Sequence, residues 1–442
     1  MVDTKMRVGI VGLGFVGLSL SSVLASKDIS TIGIDTDKEK CKMIASGKPP
    51  FFEPELEKTL KEGLSKKFLV SDDFSLLLDC ELIFVTVGTP QRDDGSIELG
   101  IIKDAIRKIS QIIGKSKKSQ TVIIKSTVVP GTMKNVILPI LEKGSRKKAG
   151  KEFGLISNPE FLQESSAIKN TKFPHLIILG GYQTQFMRKF GKFLTKIHPD
   201  TKIVVTNHQT AEMIKYANNS FLATKISFIN QLSNICQKIP EVNIDEIAKT
   251  IGLDPRIGRL FLNAGPGYGG SCLPKDMKAL INFADRIGVK PSFLNEVEKT
   301  NQKQITNMIS LLERKMGSIN RKKITILGTA FKPETDDIRD SISIKLIKKL
   351  IEKGARIIVH DPKAIENTKK IFLNKIEYSE SIINALTNSQ CAIIMTQWKE
   401  YSKINNNTIR RMNKKLIIDS RRILADKNID ADYQAIGIGN NN

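Results

Sequence analysis

The sequence predicts an α/β protein in which two doubly wound, mainly parallel-sheet domains are joined by a long central helix. Three observations lead there. Short apolar runs alternate with helix-like stretches in both terminal thirds, a strand, glycine turn and helix open the chain, and a stretch with few helix breakers separates the two thirds. A length of 442 residues suits two or three domains, and 40% hydrophobic with 26% charged residues suits a soluble globular chain with a packed core.

Arg7-Val-Gly-Ile-Val-Gly12 reads as a short buried strand, followed by Gly12-x-Gly14-x-x-Gly17, with Phe15 and Val16 inside the motif, and by a helical run from Leu18 to Lys27. A second strand, Ser30 to Asp35, ends in an acid. In this Rossmann-like pattern Gly12 makes the tight turn, Gly14 lets a pyrophosphate approach the backbone, and Gly17 allows close helix packing. Asp35 stands where a carboxylate accepts hydrogen bonds from the adenosine ribose, and its charge favours NAD over NADP. Val8 to Ser26 is uncharged and follows Lys5 and Arg7, like a signal peptide or membrane span, but four glycines interrupt it.

The alternation continues through Cys80 to Gly88, Thr121 to Thr127 and Phe153 to Asn158. In an open parallel sheet the loops after the strands form the ligand crevice, which places Thr89-Pro90, Ser126-Thr127 and Asn158-Pro159-Glu160 there; plain loop or cap roles are equally open for each. From Thr210 to about Lys238 a connecting helix is expected, with Glu212, Lys215 and Asn219 on one face; a solvated Lys215 is an equal alternative. Between Phe261 and Asp276 four glycines (Gly265, Gly267, Gly269, Gly270) precede Cys272, a candidate nucleophile beside Lys275 and Asp276. Cys41, Cys80, Cys236 and Cys391 read as inert core thiols. Lys323 to Lys332 and Ala355 to Asp361, with a helix from Ser341 to Lys353 between them, repeat the strand-helix-strand plan without the glycine triplet, so a nucleotide mono- or diphosphate site is expected there, with Lys332 and Arg339 as candidate partners. Asn440 to Asn442 reads as a polar tail.

Lys+Arg 69 against Asp+Glu 46 gives a net charge of +23, which favours anionic partners. The lysines are scattered without aromatic interleaving, however, so solvated faces account for them and neither a nucleic-acid nor a membrane partner is expected. Five scattered cysteines fit a reducing cytoplasm, and the four histidines form no cluster with them, so no metal is expected.

Together these motifs resemble the UDP-glucose/GDP-mannose dehydrogenase family over nearly the whole chain. The matching segments, in the family's order, are Gly12 to Gly17, Lys125-Ser-Thr-Val-Val-Pro-Gly131, Ser157-Asn-Pro-Glu-Phe-Leu-Gln-Glu164, Gly267 to Asp276 and Ala330 to Arg339. The resemblance implies an NAD-binding Rossmann domain over 1–205, a central helical dimerisation domain with the cysteine loop over 206–312, and a UDP-sugar-binding Rossmann-like domain over 313–442. It also implies a homodimer or higher homo-oligomer. The implied reaction is the four-electron oxidation of a UDP-glucose C6 alcohol to the carboxylate through Cys272, for glycan or polysaccharide synthesis. GDP-mannose or a UDP-N-acetyl-aminosugar is the alternative substrate.

The same resemblance makes Lys215 and Asn219 oxyanion stabilisers, Asp276 the holder of a water, Glu160 the general base and Thr127 its neighbour. It adds Lys40, Thr89, Thr127, Glu164, Lys275 and Arg339 to Gly12, Gly14, Phe15, Val16, Gly17 and Asp35 for NAD. For the nucleotide sugar it assigns Glu160, Phe161, Leu162, Glu164, Lys215, Asn219, Arg256, Asn263, Tyr268, Gly269, Phe331 and Lys332. Arg421 or Arg422 is expected to reach a neighbouring subunit. Two departures stand out: Pro174-His175-Leu176 replaces the family's Asp-Arg, and Ser271 stands where aminosugar enzymes place a histidine, which favours glucose.

Overall fold

The computed structural model describes residues 6–439, so the Asn440 to Asn442 tail lies outside the described residues. The chain divides into two compact units, 1–218 and 219–442. The first holds an eight-stranded sheet ordered β3-β2-β1-β4-β5-β6-β7-β8: β1 (Arg7–Val11), β2 (Ser30–Ile34), β3 (Phe68–Ser71), β4 (Leu82–Val85), β5 (Thr121–Ile124), β6 (Gly154–Ser157), β7 (Ile177–Gly181) and β8 (Ile203–Thr206). Its central strands are short and buried on both faces, as a parallel sheet covered by helices requires. Successive residues feed opposite cores. Leu82, Phe84, Ile123 and Ile156 join one apolar cluster, while Ile83, Val85, Ile124 and Leu155 join the other.

Helices close both faces through apolar residues spaced three and four apart. On Gly100–Lys115 these are Ile102, Ile106, Ile109 and Ile113; on Gln185–Ile197 they are Phe186, Phe190, Phe193 and Ile197. One pairing departs from an all-parallel sheet, because β7 runs antiparallel to β6 and parallel to β8. The strands read from sequence are present in this sheet, and β3, β7 and β8 extend it at its two edges.

The second unit carries a six-stranded, all-parallel sheet ordered β11-β10-β9-β12-β13-β14: β9 (Lys323–Leu327), β10 (Arg356–His360), β11 (Glu377–Tyr378), β12 (Cys391–Ile394), β13 (Leu416–Asp419) and β14 (Asp432–Ala435). The helix expected between the first two strands spans Ile342–Glu352. The long helix, His208–Cys236, runs from one unit into the other and begins two residues before the expected start. Among the described residues no helix is long and apolar enough to cross a membrane.

Two features fix the reactive edge of the first unit. A Cβ added at Gly17 would lie 1.9 Å from Gly12 O and 2.5 Å from Thr86 Oγ1, so the first helix touches the glycine turn and no side chain fits between them. Glu212, buried on the long helix, accepts hydrogen bonds from Gly131 N and Met133 N, each at 2.7 Å, and so caps the π-helical turn Met133–Ile137. Burial pushes the Glu212 carboxyl up to about 7, against the pull of those two N–H groups.

Gly17→Ala is therefore expected to lower stability by about 1–3 kcal/mol in a denaturant titration, since the contact is with backbone; an unchanged midpoint would show that the helix can move away. Glu212→Gln keeps one acceptor and turns an NH2 toward an N–H, and is expected to cost about 1–3 kcal/mol. The raised folded-state pKa means the carboxyl's contribution is complete below its ordinary value of 4.5 and is lost as pH rises through about 7. The stability gap between wild type and Glu212→Gln should thus narrow over that interval, and a constant gap would contradict the assignment.

Candidate active site

At the C-terminal edge of β1 the chain turns through Gly12, with φ of +96°, and Gly12 N donates to Ile34 O at 2.7 Å. Nothing lies within 4 Å of a Cβ added at Gly14, the N-cap of the helix Phe15–Ser26, so open space adjoins that helix N-terminus. Asp35, just past β2, accepts from Leu13 N at 2.8 Å, Lys40 Nζ at 2.9 Å and Asp37 N at 3.1 Å. Burial raises its pKa, but Lys40 and the two backbone donors outweigh burial and hold the carboxyl below its ordinary range. An ionised acid beside an open helix N-terminus suits the ribose and pyrophosphate of a dinucleotide. Thr89 Oγ1 donates to Thr127 O at 2.9 Å, which joins the loops after β4 and β5. Phe15 packs on Phe51, and Val16 lines a small cavity beside Glu160.

The turn after β6 carries Glu160. Its Oε2 accepts from Leu162 N at 2.5 Å and its Oε1 from Lys215 Nζ at 3.1 Å. Burial would raise the Glu160 pKa, but Lys215, Leu162 N–H and Lys125 together hold it below the ordinary range. The Lys215 ammonium also lies 5.4 Å from the Phe161 ring centroid. His175, where the sequence departs from the family's Asp-Arg, packs edge-on to Phe161 at 5.9 Å. Glu164 is buried nearby in sequence. The face predicted for Glu212, Lys215 and Asn219 is buried at all three positions, so a solvated Lys215 is set aside.

In the second unit Cys272 is the N-cap of the helix Leu273–Arg286 and is partly exposed, with Sγ 3.5 Å from Ser271 Oγ. The other four cysteines are buried, and burial pushes the Cys80 thiol up to about 12. A cysteine at a helix N-terminus meets the positive end of the helix dipole, where negative charge on sulfur is favoured. One turn on, buried Asp276 accepts from Asn219 Nδ2 at 2.7 Å and pairs with Lys275. Ala223 from the long helix, Tyr268 and Met277 pack together, which fixes the cysteine loop on the helix that bears Asn219.

The glycines before Cys272 are required by close packing. Cβ atoms at Gly267, Gly269 and Gly270 would lie 2.6 Å from Asn301 Oδ1, 2.5 Å from Asp340 O and 2.7 Å from the Phe331 ring. Tyr268 is clamped by Asn301 on both its N–H and its carbonyl, and its hydroxyl donates to Glu298 at 2.8 Å. Tyr268, Gly269, Phe331 and Lys332 therefore share one locality, with Lys332 Nζ 5.8 Å from the Phe331 ring centroid.

Other expected residues stand apart or are engaged elsewhere. Arg339 lends its carbonyl to Gly270 N, but its guanidinium is held by Asp337. Arg256 is held by Asp254, and Asn263 is exposed. Arg422 donates to Asp245, Ile436 O and Ala264 O within its own unit, and Arg421 donates to Met395 O. The Asp35 counterpart of this unit, Asp361, is spent on Thr329 N, Ala330 N, Lys363 N, Ala364 N and the Trp398 indole, so no carboxylate is offered to a second dinucleotide ribose. Sequence reasoning assigned no role to Lys125, for which a lysine ending an apolar strand was the available signal, and it placed Asn158 in a crevice-lining loop without its bond to Lys125.

Three family models match in order: the UDP-glucose/GDP-mannose dehydrogenase NAD-binding domain over 6–198, the central domain over 209–303 and the UDP-binding domain over 325–426. The UDP-glucose 6-dehydrogenase AglM of Haloferax volcanii is 36% identical over 434 residues, covering 98% of this chain and all of the relative. A UDP-glucose dehydrogenase structure from Pyrobaculum islandicum superposes with a TM-score of 0.92 at 30% identity, over 99% of both chains. A UDP-D-ManNAc dehydrogenase from Pyrococcus horikoshii gives 0.86 at 26% identity, over 98% and 99%. The chain belongs to the UDP-glucose/GDP-mannose dehydrogenase family and is an NAD-dependent oxidoreductase.

Proposed function

We propose that this chain oxidises the C6 alcohol of UDP-glucose to the carboxylate of UDP-glucuronate. The observation that carries this reading is Cys272, a partly exposed thiol on a helix N-terminus one turn from the buried Asn219–Asp276 pair, within a chain similar end to end to enzymes named for UDP-glucose. NAD, held at Gly12 to Gly17 and Asp35, supplies the hydride acceptor twice. In sum, one alcohol, two NAD+ and one water give one carboxylate, two NADH and three protons.

After the first oxidation the aldehyde carbonyl carbon is attacked by the Cys272 sulfur, forming a C–S bond and a thiohemiacetal; loss of a second hydride leaves a thioester. Water then adds to the thioester carbonyl and the C–S bond breaks, returning the thiol. In this reading Lys215 and Asn219 stabilise the oxyanions, Asp276 holds the water, and ionised Glu160 takes the proton. Tyr268, Gly269, Phe331 and Lys332 receive the nucleotide sugar. The domains 1–205, 206–312 and 313–442 divide these tasks; the product suits glycan or polysaccharide synthesis, and the five scattered cysteines suit a reducing cytoplasm. Homodimerisation is supported by Phe221, Phe228 and Ile235, which recur every seven residues along the long helix and are 64%, 52% and 48% exposed.

NADH formation with UDP-glucose, GDP-mannose, UDP-N-acetylglucosamine and UDP-N-acetylmannosamine tests the substrate. Two NADH per UDP-glucose are expected, with turnover by Cys272→Ser reduced more than about 1,000-fold. Preference for another sugar overturns the glucose reading, and full turnover by the variant overturns the covalent route. Asp35→Ala removes charged hydrogen bonds worth about 1.5–3 kcal/mol and is expected to raise the KM for NAD by about 10–100-fold while narrowing its preference over NADP. An unchanged cofactor preference would contradict the role given to Asp35.

A further inference from the structure

Lys125 directly follows β5, and its Nζ donates to Asn158 Oδ1 at 3.1 Å and reaches Asn158 O at 3.5 Å. Asn158 Nδ2 donates onward to Ile178 O of β7 at 2.8 Å, and Asn158 N donates to Ile124 O of β5 at 2.8 Å. This chain of bonds ties three strands together where the sheet reverses direction between β6 and β7. The two residues that follow Asn158 are Pro159 and Glu160.

A cavity of about 70 Å³ lies alongside, lined by Lys125, Asn158, Glu160, Thr171, His175 and His198 among apolar side chains. Thr171 Oγ1 is buried there without a hydrogen-bond partner. A neutral donor would satisfy Asn158 Oδ1 equally well, so the choice of a cation in a site already holding Lys215 calls for an electrostatic reason. The charged and titratable groups around Lys125 are Glu160 on the turn, Lys215 on the long helix and His198 after the helix Gln185–Ile197. Burial draws the Lys125 ammonium down to about 8, with Glu160 holding it up and Lys215 pressing it down further.

We propose that Lys125 is a positioning residue for Glu160: through Asn158 it fixes the Asn158-Pro159-Glu160 turn, and its ammonium adds to that of Lys215 in keeping the Glu160 carboxyl ionised. The inference rests on the reading of Glu160 as general base. It assigns Lys125 no contact with substrate. Its effect reaches the reaction through the place and protonation state of one carboxylate.

The test uses the full chain with UDP-glucose and NAD, comparing wild type with Lys125→Met, Lys125→Arg, Lys125→Gln, Asn158→Ala and Glu160→Gln. Lys125→Met is expected to bind NAD within about twofold of wild type, to lose about 10–100-fold in kcat, and to show the acid limb of its kcat–pH profile moved up by about 0.5–1 unit. The sign follows from charge: with one ammonium gone, Glu160 stays protonated to higher pH. Lys125→Arg is expected to return the acid limb to its wild-type position and to recover most of kcat.

A folded Lys125→Met enzyme with wild-type kcat and acid limb overturns the proposal. So does a fall in kcat with an unmoved acid limb that Lys125→Arg does not recover, since that is the signature of packing alone. Loss of activity in Glu160→Gln beside an unaffected Lys125→Met enzyme removes the proposal and leaves the general-base reading intact. Full activity in Glu160→Gln removes both. Should Lys125→Met fail to fold, Lys125→Gln carries the test: it keeps a donor for Asn158 and removes the charge, so an acid limb moved up supports the proposal and an unmoved one overturns it. Asn158→Ala, which breaks the clip and keeps the charge, is expected to lower kcat without moving the limb.

Discussion

Lys215 Nζ and Glu160 Oε1 meet at 3.1 Å with only 4% and 8% of the two side chains exposed. Burying a pair of charges this deeply costs several kcal/mol per ion, and their mutual attraction repays it only where further polar groups share in it. The surroundings supply that share. Leu162 N–H donates to the same carboxylate, the Phe161 ring adjoins the ammonium, and Lys125 adds a second positive charge. These groups and the pair itself come from three stretches of chain, so the arrangement forms only when the turn after β6, the end of β5 and the long helix are all in place. The Asn158 clip and the Glu212 cap hold those supports, one locking β5 to β6 and β7 and the other anchoring the long helix to the turn after Pro130.

The two units use one strand-helix-strand plan for different ends, and the difference is visible at equivalent acids. Asp35 accepts from two backbone N–H groups and from Lys40, and stands beside the open space at Gly14. Asp361 is 4% exposed and takes four backbone N–H groups and an indole. A carboxylate whose lone pairs are occupied by its own turn has none left for a ribose hydroxyl. The same topology thus gives one dinucleotide site and one sheet matched to a UDP-binding domain.

Much of this was legible in the sequence wherever the signal is local. Glycine spacing, the acid after β2 and the apolar strands that end in polar loops are set by contacts a few residues apart, and the long helix was placed to within two residues at each end. The antiparallel entry of β7 was not legible, because a short apolar run carries no sign of strand direction. Lys125 looked like the polar end of a strand; its partner Asn158 lies 33 residues away, and nothing local announces that bond. The spacing of Glu212 placed it on the same face as Lys215 and Asn219, yet only the fold shows that it caps Gly131 and Met133.

In the proposed reaction the Lys215–Glu160 pair is kept for chemistry and not for stability. A double-mutant cycle with Lys215→Met, Glu160→Gln and the double variant, measuring unfolding free energy and NADH formation on the same preparations, tests this most directly. Each single change is expected to cost about 3–5 kcal/mol by leaving a buried polar group without its charge partner, and the double variant to recover to within about 1 kcal/mol of wild type while remaining inactive. Additive stability losses, or a double variant that turns over substrate at the wild-type rate, would contradict it.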